Sequence, residues 1–469
     1  MSRRIRTVAI TISATLLALI AGCAGRGTGS VASSAPGVAR SGGQTPAGSV
    51  RAQPGDTGGT GDSGEVGSES SADRRDSGNS DQPVRPRSSR LAGLLGEMTV
   101  EEKVGQLFLP AIYGSHAGTA RRENTAQFGV ATPTKVIAKY RPGGVILFPW
   151  AGNVSGVAQV VDLVNGLQKA SPDVPLLIGA DQENGPVSRL SPLVTKLPDA
   201  RTIGDTGDPE EARAAARVTG QELRALGVNL DFAPVADVNI DPKNPVIGRR
   251  SYGPNPRKVA KMVAAAVAGF HDGGVAATAK HFPGHGDTSV DSHTGLPVIG
   301  HSPSRWAKLD APPFKAAIAA GVDAVMSAHI VMPNLDDSGD PATLSKRILT
   351  GLLREKLGFD GVVLTDSLQM KGVREKYGDG EVAVRAILAG ADMLLMPPDF
   401  PKAYGAVLAA VRSGRISPTR LDRSVTRILK LKMSRGLFLA KPADAEKAAR
   451  ILKSVAHRQV AHRITHRAA

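Results

Sequence analysis

The chain has 469 residues, with 58 Lys and Arg against 43 Asp and Glu, a formal charge of +15, and one cysteine. That length suits one large domain or two ordinary ones, and a single cysteine excludes an internal disulfide. The basic balance favours anionic partners such as wall polymers or lipid headgroups, but no zinc finger, RNP-type motif or base-reading helix accompanies it, so nucleic acid is set aside as a partner.

In chain order, Arg3, Arg4 and Arg6 precede an apolar run from Val8 to Ile20. These are the n-region and h-region of a signal peptide, and the run is too short for a comfortable membrane span. It ends in Ile20-Ala21-Gly22-Cys23, which resembles a bacterial lipobox. Residues 1–23 therefore read as a lipoprotein signal with Cys23 as the lipidated residue. This predicts an exported protein anchored to the outer face of the cell membrane. Residues 24–87 are chiefly Gly, Ser, Ala, Pro, Asp and Arg, without one aromatic. They cannot bury enough apolar surface to offset ordering entropy, which predicts a disordered tether.

Order is expected from Ser88. Thr99 with Glu102 three residues later forms a capping box at a helix start. Strands are expected near Val104–Ile112, Gly144–Phe148, Pro175–Ala180, Val228–Pro234, Val275–Lys280, Ala324–Ile330, Gly361–Thr365 and Ala391–Met396. Helical patterns lie between them, as at Glu210–Leu226, Pro256–Asp272, Ala311–Ala320, Leu349–Leu357 and Glu381–Ala389. Eight strands alternating with helices over residues 88–440 predict an α/β fold, a single (β/α)8 TIM-type barrel. An open doubly wound sheet is the alternative, but no Gly-x-Gly-x-x-Gly follows an early strand. Pro418 onward reads as a closing helix. Residues 441–469 form a basic helical tail, too short for a second domain, so no second α/β sandwich domain is expected.

In such a barrel the residues just past the strands build the active site. Here they are polar: Asp181 to Arg189 after the third strand, Asp237 and then Arg250 after the fourth, His329 after the sixth, Asp366 after the seventh. The densest stretch follows the fifth. From Lys280 to His293 it holds three histidines, two aspartates and a lysine, groups a packed core cannot bury without partners or water. Asp366, after Gly361-Val362-Val363-Leu364-Thr365, can serve as a nucleophile or cap a helix from Ser367. Asp291 and His293 can approach in a loop, and a carboxylate raises an imidazole's pKa and sets its tautomer. That makes a general acid/base, where a surface Asp–His pair is the plainer alternative. His281, His285, Asp287, Asp291 and His293 could also ligate a metal. The spacing lacks a clean His-x-His, and Lys280 and Arg250 would repel a cation, so no metal or cofactor is expected.

Together these motifs resemble glycoside hydrolase family 3, in its β-N-acetylglucosaminidase branch, over about Leu91 to Leu439. The resemblance rests on Met98–Phe108, Asp181–Arg189, Asn229–Asp237, Arg250–Gly253, Lys280–His293 and Leu364–Met370. It implies Asp366 as nucleophile, His293 as acid/base supported by Asp291, and Asp181, Arg189, Arg250, Lys280 and His281 as substrate contacts. Asn184 and Pro186 depart from the family's usual pattern in the Asp181 loop. The implied activity is retaining hydrolysis of terminal β-linked N-acetylglucosamine, and the export signal directs it to peptidoglycan fragments such as a GlcNAc–MurNAc disaccharide or muropeptide. Two tryptophans, Trp150 and Trp306, argue against a long stacking platform. The alternatives are a β-glucosidase or other exo-glycosidase of the family, an N-acetylglucosaminide phosphorylase, and a non-catalytic sugar-binding lipoprotein. A monomer is expected, with the membrane contacted through the lipid anchor.

Overall fold

The computed structural model describes residues 87–469 apart from 293, 294 and 375. The expected signal segment, Cys23, the tether up to residue 86, and His293 lie outside the described residues.

The first elements follow from local chemistry. A helix spans Arg87–Glu97, and a second, Val100–Gln106, opens at Thr99. Thr99 Oγ1 accepts the Glu102 N–H at 3.2 Å, and Glu102 Oε2 accepts the Thr99 N–H at 2.9 Å, the reciprocal capping box. This helix corrects the expected strand Val104–Ile112. It keeps Val104, and Gly105 lets it press against the C-terminal end of the helix Pro133–Tyr140, where a Cβ would stand 2.1 Å from the Tyr140 carbonyl oxygen. Only Phe108–Leu109 remain as strand β1.

The other expected strands appear where their apolar runs lie, most of them shorter than expected, while the one expected at Val275–Lys280 runs on to Phe282. They are β2 (Gly144–Ile146), β3 (Leu177–Ala180), then a hairpin of β4 (Gln182–Asn184) and β5 (Val187–Ser188). After these come β6 (Leu230–Asp231), β7 (Ala276–Phe282), β8 (Ala324–Ser327), β9 (Val362–Leu364) and β10 (Leu394–Leu395). Strands β2, β3, β6, β7, β8 and β9 form one six-stranded parallel sheet in that order. β1 pairs in parallel with β10, and single parallel bridges join Ala111 to Ile146 and Leu364 to Met393. The result is a curled parallel sheet of TIM type. Apart from the β4–β5 hairpin, its strands are buried, as expected where helices cover a parallel sheet.

Helices including Val157–Lys169, Pro209–Ala225, Pro256–Gly273, Ala311–Ala319, Asp379–Ala389, Phe400–Arg412 and Pro418–Ser434 separate or follow these strands. Arg347–Lys356 is π-helical. The basic tail forms two helices, Ala445–Leu452 and Val455–Ala468. They dock on Pro209–Ala225: His457 Nδ1 lies 2.7 Å from Glu222, and Arg463 and Arg467 lie 2.9 Å and 2.8 Å from Glu211. Part of the tail's positive charge is therefore matched inside the fold.

Candidate active site

All strands of the six-stranded sheet run the same way, so their C-terminal tips open on one face. Strand β7 brings Lys280 and His281 there. Lys280 Nζ lies 2.8 Å from Asp181 Oδ1, just past β3, and 2.6 Å from Glu183 Oε1 on β4. Arg250, in the turn Gly248–Arg250, grips Glu183 with Nε at 2.7 Å and Nη2 at 2.8 Å, the strong bidentate geometry of a guanidinium on a carboxylate. Its Nη2 also stands 3.3 Å from His281 Nε2, while His281 Nδ1 is 2.7 Å from Asp237 Oδ2. Asp237 accepts the backbone N–H groups of His281 and His285 as well. One connected network thus joins the ends of three sheet strands, β3, β6 and β7, to the β4–β5 hairpin.

Burial would raise the Glu183 carboxyl, but Arg250 and Lys280 hold it far below the usual range. Asp237 is also buried and is lowered by His281 and His285. Burial would strip the proton from Lys280, yet Asp181 and Glu183 raise it above its ordinary value. Glu183, Asp237 and Lys280 are therefore charged at neutral pH, and the members of the network hold each other in place.

Asp366 stands two residues past β9. Its Oδ1 accepts the Ser367 N–H at 2.7 Å, the one hydrogen bond its side chain makes among the described residues. The next helix is Lys371–Arg374, so Asp366 is not the N-cap that local reading allowed. Burial would raise its carboxyl; the imidazoles of His281 and His329, the Ser367 N–H and Lys280 outweigh burial and keep it ionised below the ordinary range. His329 is itself fixed, with Nδ1 2.8 Å from Thr343 Oγ1 and Nε2 3.0 Å from the Ser367 carbonyl.

The loop after β7 is tied at several points. His285 Nε2 meets Ser292 Oγ at 3.0 Å, and burial drives its pKa down to about 4, so this imidazole is neutral at pH 7. Asp287 lies 2.7 Å from His301 Nε2, and His301 Nδ1 lies 2.7 Å from Asp310. The Asp291 carbonyl accepts the Gly295 N–H at 2.9 Å. Its expected partner His293 falls outside the described residues.

Of the expected site residues, Asp181, Arg250, Lys280 and His281 are brought together directly, and Asp366 shares their field. Arg189 is exposed at the end of the β4–β5 hairpin. Its N–H reaches the Asp181 carbonyl at 3.1 Å, and its guanidinium makes no ion pair among the described residues. The departures in that loop have a local account: Asn184 adopts φ 69° before Gly185 at φ 61°, backbone space that Asn tolerates. The sequence pattern sets Asp237 and His329 at the strand tips, Glu183 in the Asp181–Arg189 loop and His285 among possible metal ligands, but gives none of the four a catalytic or substrate-binding role. Glu183 was within reach, because it stands two residues after Asp181, the spacing that sends side chains to one side of a strand.

A TIM-type domain with a charged, interlocked constellation at its strand tips and an ionised carboxylate in the same field has the arrangement of an enzyme active site. Residues 99–431 match the glycosyl hydrolase family 3 N-terminal domain, and the chain belongs to that family. It is 40 % identical over 328 residues to beta-hexosaminidase A of Pseudoalteromonas piscicida, covering 64 % of this chain and 54 % of that one. It is 35 % identical over 379 residues to the beta-N-acetylglucosaminidase/beta-glucosidase of Cellulomonas fimi, covering 79 % and 64 %. The chain thus spans less than two thirds of the length of either relative. Among solved structures, the family 3 beta-N-acetylglucosaminidase of Paenibacillus sp. str. FPU-7 matches with TM-score 0.74 and 44 % identity, over 79 % of this chain and 69 % of that one.

Proposed function

We propose that this protein is a retaining exo-β-N-acetylglucosaminidase acting on terminal β-linked N-acetylglucosamine, with peptidoglycan fragments of the GlcNAc–MurNAc type as substrates. The catalytic unit in this reading is one (β/α)8 barrel, held outside the cell by a lipid on Cys23. The observation that carries it is Asp366: a carboxylate at a strand tip, kept ionised, with one backbone donor and with His281 and Lys280 close enough to set its charge. A structural aspartate takes all the partners it can; a nucleophile keeps an oxygen available.

In this mechanism an Asp366 oxygen attacks the anomeric carbon as the bond to the aglycone breaks. Protonated His293, oriented by Asp291, gives its proton to the departing oxygen. The glycosyl–aspartate ester is then cleaved by water, whose proton passes to the now neutral His293, and the sugar leaves with retained configuration. Asp181, Lys280, Arg250, His281 and Arg189 hold the ring hydroxyls and acetamido group through charge-assisted hydrogen bonds. The names of the relatives from Pseudoalteromonas piscicida and Paenibacillus support the substrate class.

Release of nitrophenol from the β-N-acetylglucosaminide, but not from the matching glucoside, tests the reading. Activity must vanish in Asp366→Ala and fall in His293→Ala. Preference for the glucoside would move the protein to the β-glucosidase alternative, and sugar binding without turnover would make it a binding lipoprotein. A second reading, phosphorolysis, has one specific support: the structure of the beta-glucoside phosphorylase BglX matches with TM-score 0.72 and 28 % identity over 81 % of this chain. A neutral histidine base repels an anionic acceptor less than a carboxylate would. Sugar 1-phosphate formed in millimolar phosphate decides between water and phosphate.

A further inference from the structure

Of the chain's two tryptophans, Trp306 is fully buried and donates Nε1–H to the Pro283 carbonyl at 3.0 Å. Trp150 is 53 % exposed. It sits in the turn Pro149–Ala151, just past β2, on the face of the sheet where β3 delivers Asp181. The register fixes how near. Ile146 lies opposite Gly179, and the Leu147 N–H donates to the Gly179 carbonyl at 3.0 Å. Phe148 and Asp181 therefore leave neighbouring strands at the same height, with strands about 4.8 Å apart.

The indole is mounted rigidly. Its ring stacks on Phe148 with centroids 4.7 Å apart and planes at 23°, and Tyr113 from the β1 loop closes one edge at 5.7 Å. Buried Asn153 pins the turn: its Oδ1 accepts the Phe148 N–H, and its Nδ2 donates to the Ile112 and Gly114 carbonyls. Folding alone gains little from presenting an indole to water on so firm a mount. A preformed aromatic surface past the strand next to that of Asp181 is what a pyranose needs, because the ring's C–H face packs on the indole and its hydroxyls stay free for polar groups.

We infer that Trp150 is the stacking platform of an aglycone subsite, taking the pyranose ring adjacent to the scissile bond. The inference rests on the β-N-acetylglucosaminidase reading and adds the group that recognises the leaving sugar. A second copy of the chain fits less well as occupant. One indole offers at most about 250 Å², well short of the roughly 800 Å² per partner of a stable interface.

The full-length Asp366→Ala protein provides the test, since Trp150 is the exposed emitter and Trp306 the buried one. N,N′-diacetylchitobiose should quench and blue-shift tryptophan emission saturably, N-acetylglucosamine alone should not, and Trp150→Phe should remove the signal. In the otherwise wild-type enzyme, Trp150→Ala should lower the ratio of kcat/KM on the disaccharide to kcat/KM on methyl β-N-acetylglucosaminide by about tenfold, with Trp150→Phe restoring most of it. If the methyl glycoside is hydrolysed but emission ignores the disaccharide, the platform is wrong and the activity stands. If the methyl glycoside is not hydrolysed, the activity falls and the platform with it. Equal losses on both substrates mean a structural role and overturn the platform. So does an emission change that follows protein concentration without sugar, which marks an interface between copies.

Discussion

Two buried ionic clusters, at opposite ends of the same sheet, have similar composition and different character. At the N-terminal ends of the strands, Asp392 accepts the Val363 N–H at 3.0 Å and the Ser424 hydroxyl at 2.5 Å, and meets Arg354, Arg420 and Arg427. Asp323 likewise takes the Ala277 N–H at 3.0 Å, His271 at 2.9 Å and Arg435 at 2.7 Å. The arginines use their remaining donors on carbonyls, Arg354 on Gly361 and Arg420 on Ala391. Each carboxylate is spent on a neighbouring strand. At the C-terminal tips the network is as charged, but Asp366 holds one backbone donor and Arg189 holds no ion pair among the described residues. Buried charge by itself does not mark a site; charge held in place with capacity left over does.

The sharpest way to break this comparison is Asp366→Ala, expected to lower kcat/KM by about 10³-fold or more with little change in melting temperature. A loss of stability instead of rate would make Asp366 one more structural carboxylate. Next, Glu183→Gln and Asp392→Asn should each cost about 3–5 kcal/mol in denaturant unfolding, because each strands buried cations. Glu183→Gln should also reduce kcat/KM of the folded fraction, since Lys280 and Arg250 lose their common anchor, while Asp392→Asn should leave it unchanged. Matching kinetic losses would erase the distinction between the two ends.

A smaller effect concerns Lys432, fully buried on the closing helix with its Nζ 2.7 Å from Gln106 Oε1. Burial drives its pKa down to about 7. The folded state therefore binds fewer protons than the unfolded chain between about pH 7 and the ordinary lysine value near 10.4, so stability rises with pH across that window. The cost is fully present below pH 7. Lys432→Met should raise the melting temperature most at pH 6, with a gain that shrinks towards pH 10; a pH-independent difference would rule this out. The smallest effect is at the surface, where Thr99→Ala should cost about 1 kcal/mol by removing half of a capping box.

What the residues determined alone was whatever a few neighbours can decide. Thr99 with Glu102 started a helix, apolar runs became strands in the right order, and the polar residues after those runs became the mouth of the sheet. Local reading failed where two local signals competed, as at Val104–Ile112, where the capping box won over the apolar run. Tertiary structure alone decided which charges meet. Arg250 and Glu183 are 67 positions apart, and Lys280 and Asp181 are 99, so only the parallel register of β3, β6 and β7 brings them within a hydrogen bond. It also decided that one tryptophan is core and the other stands exposed past the strand that neighbours the one carrying Asp181, and that the basic tail binds Glu211 and Glu222 on its own domain. Helix caps and strand patterns are contact effects within one segment. Burial, field and pairing belong to the assembled fold.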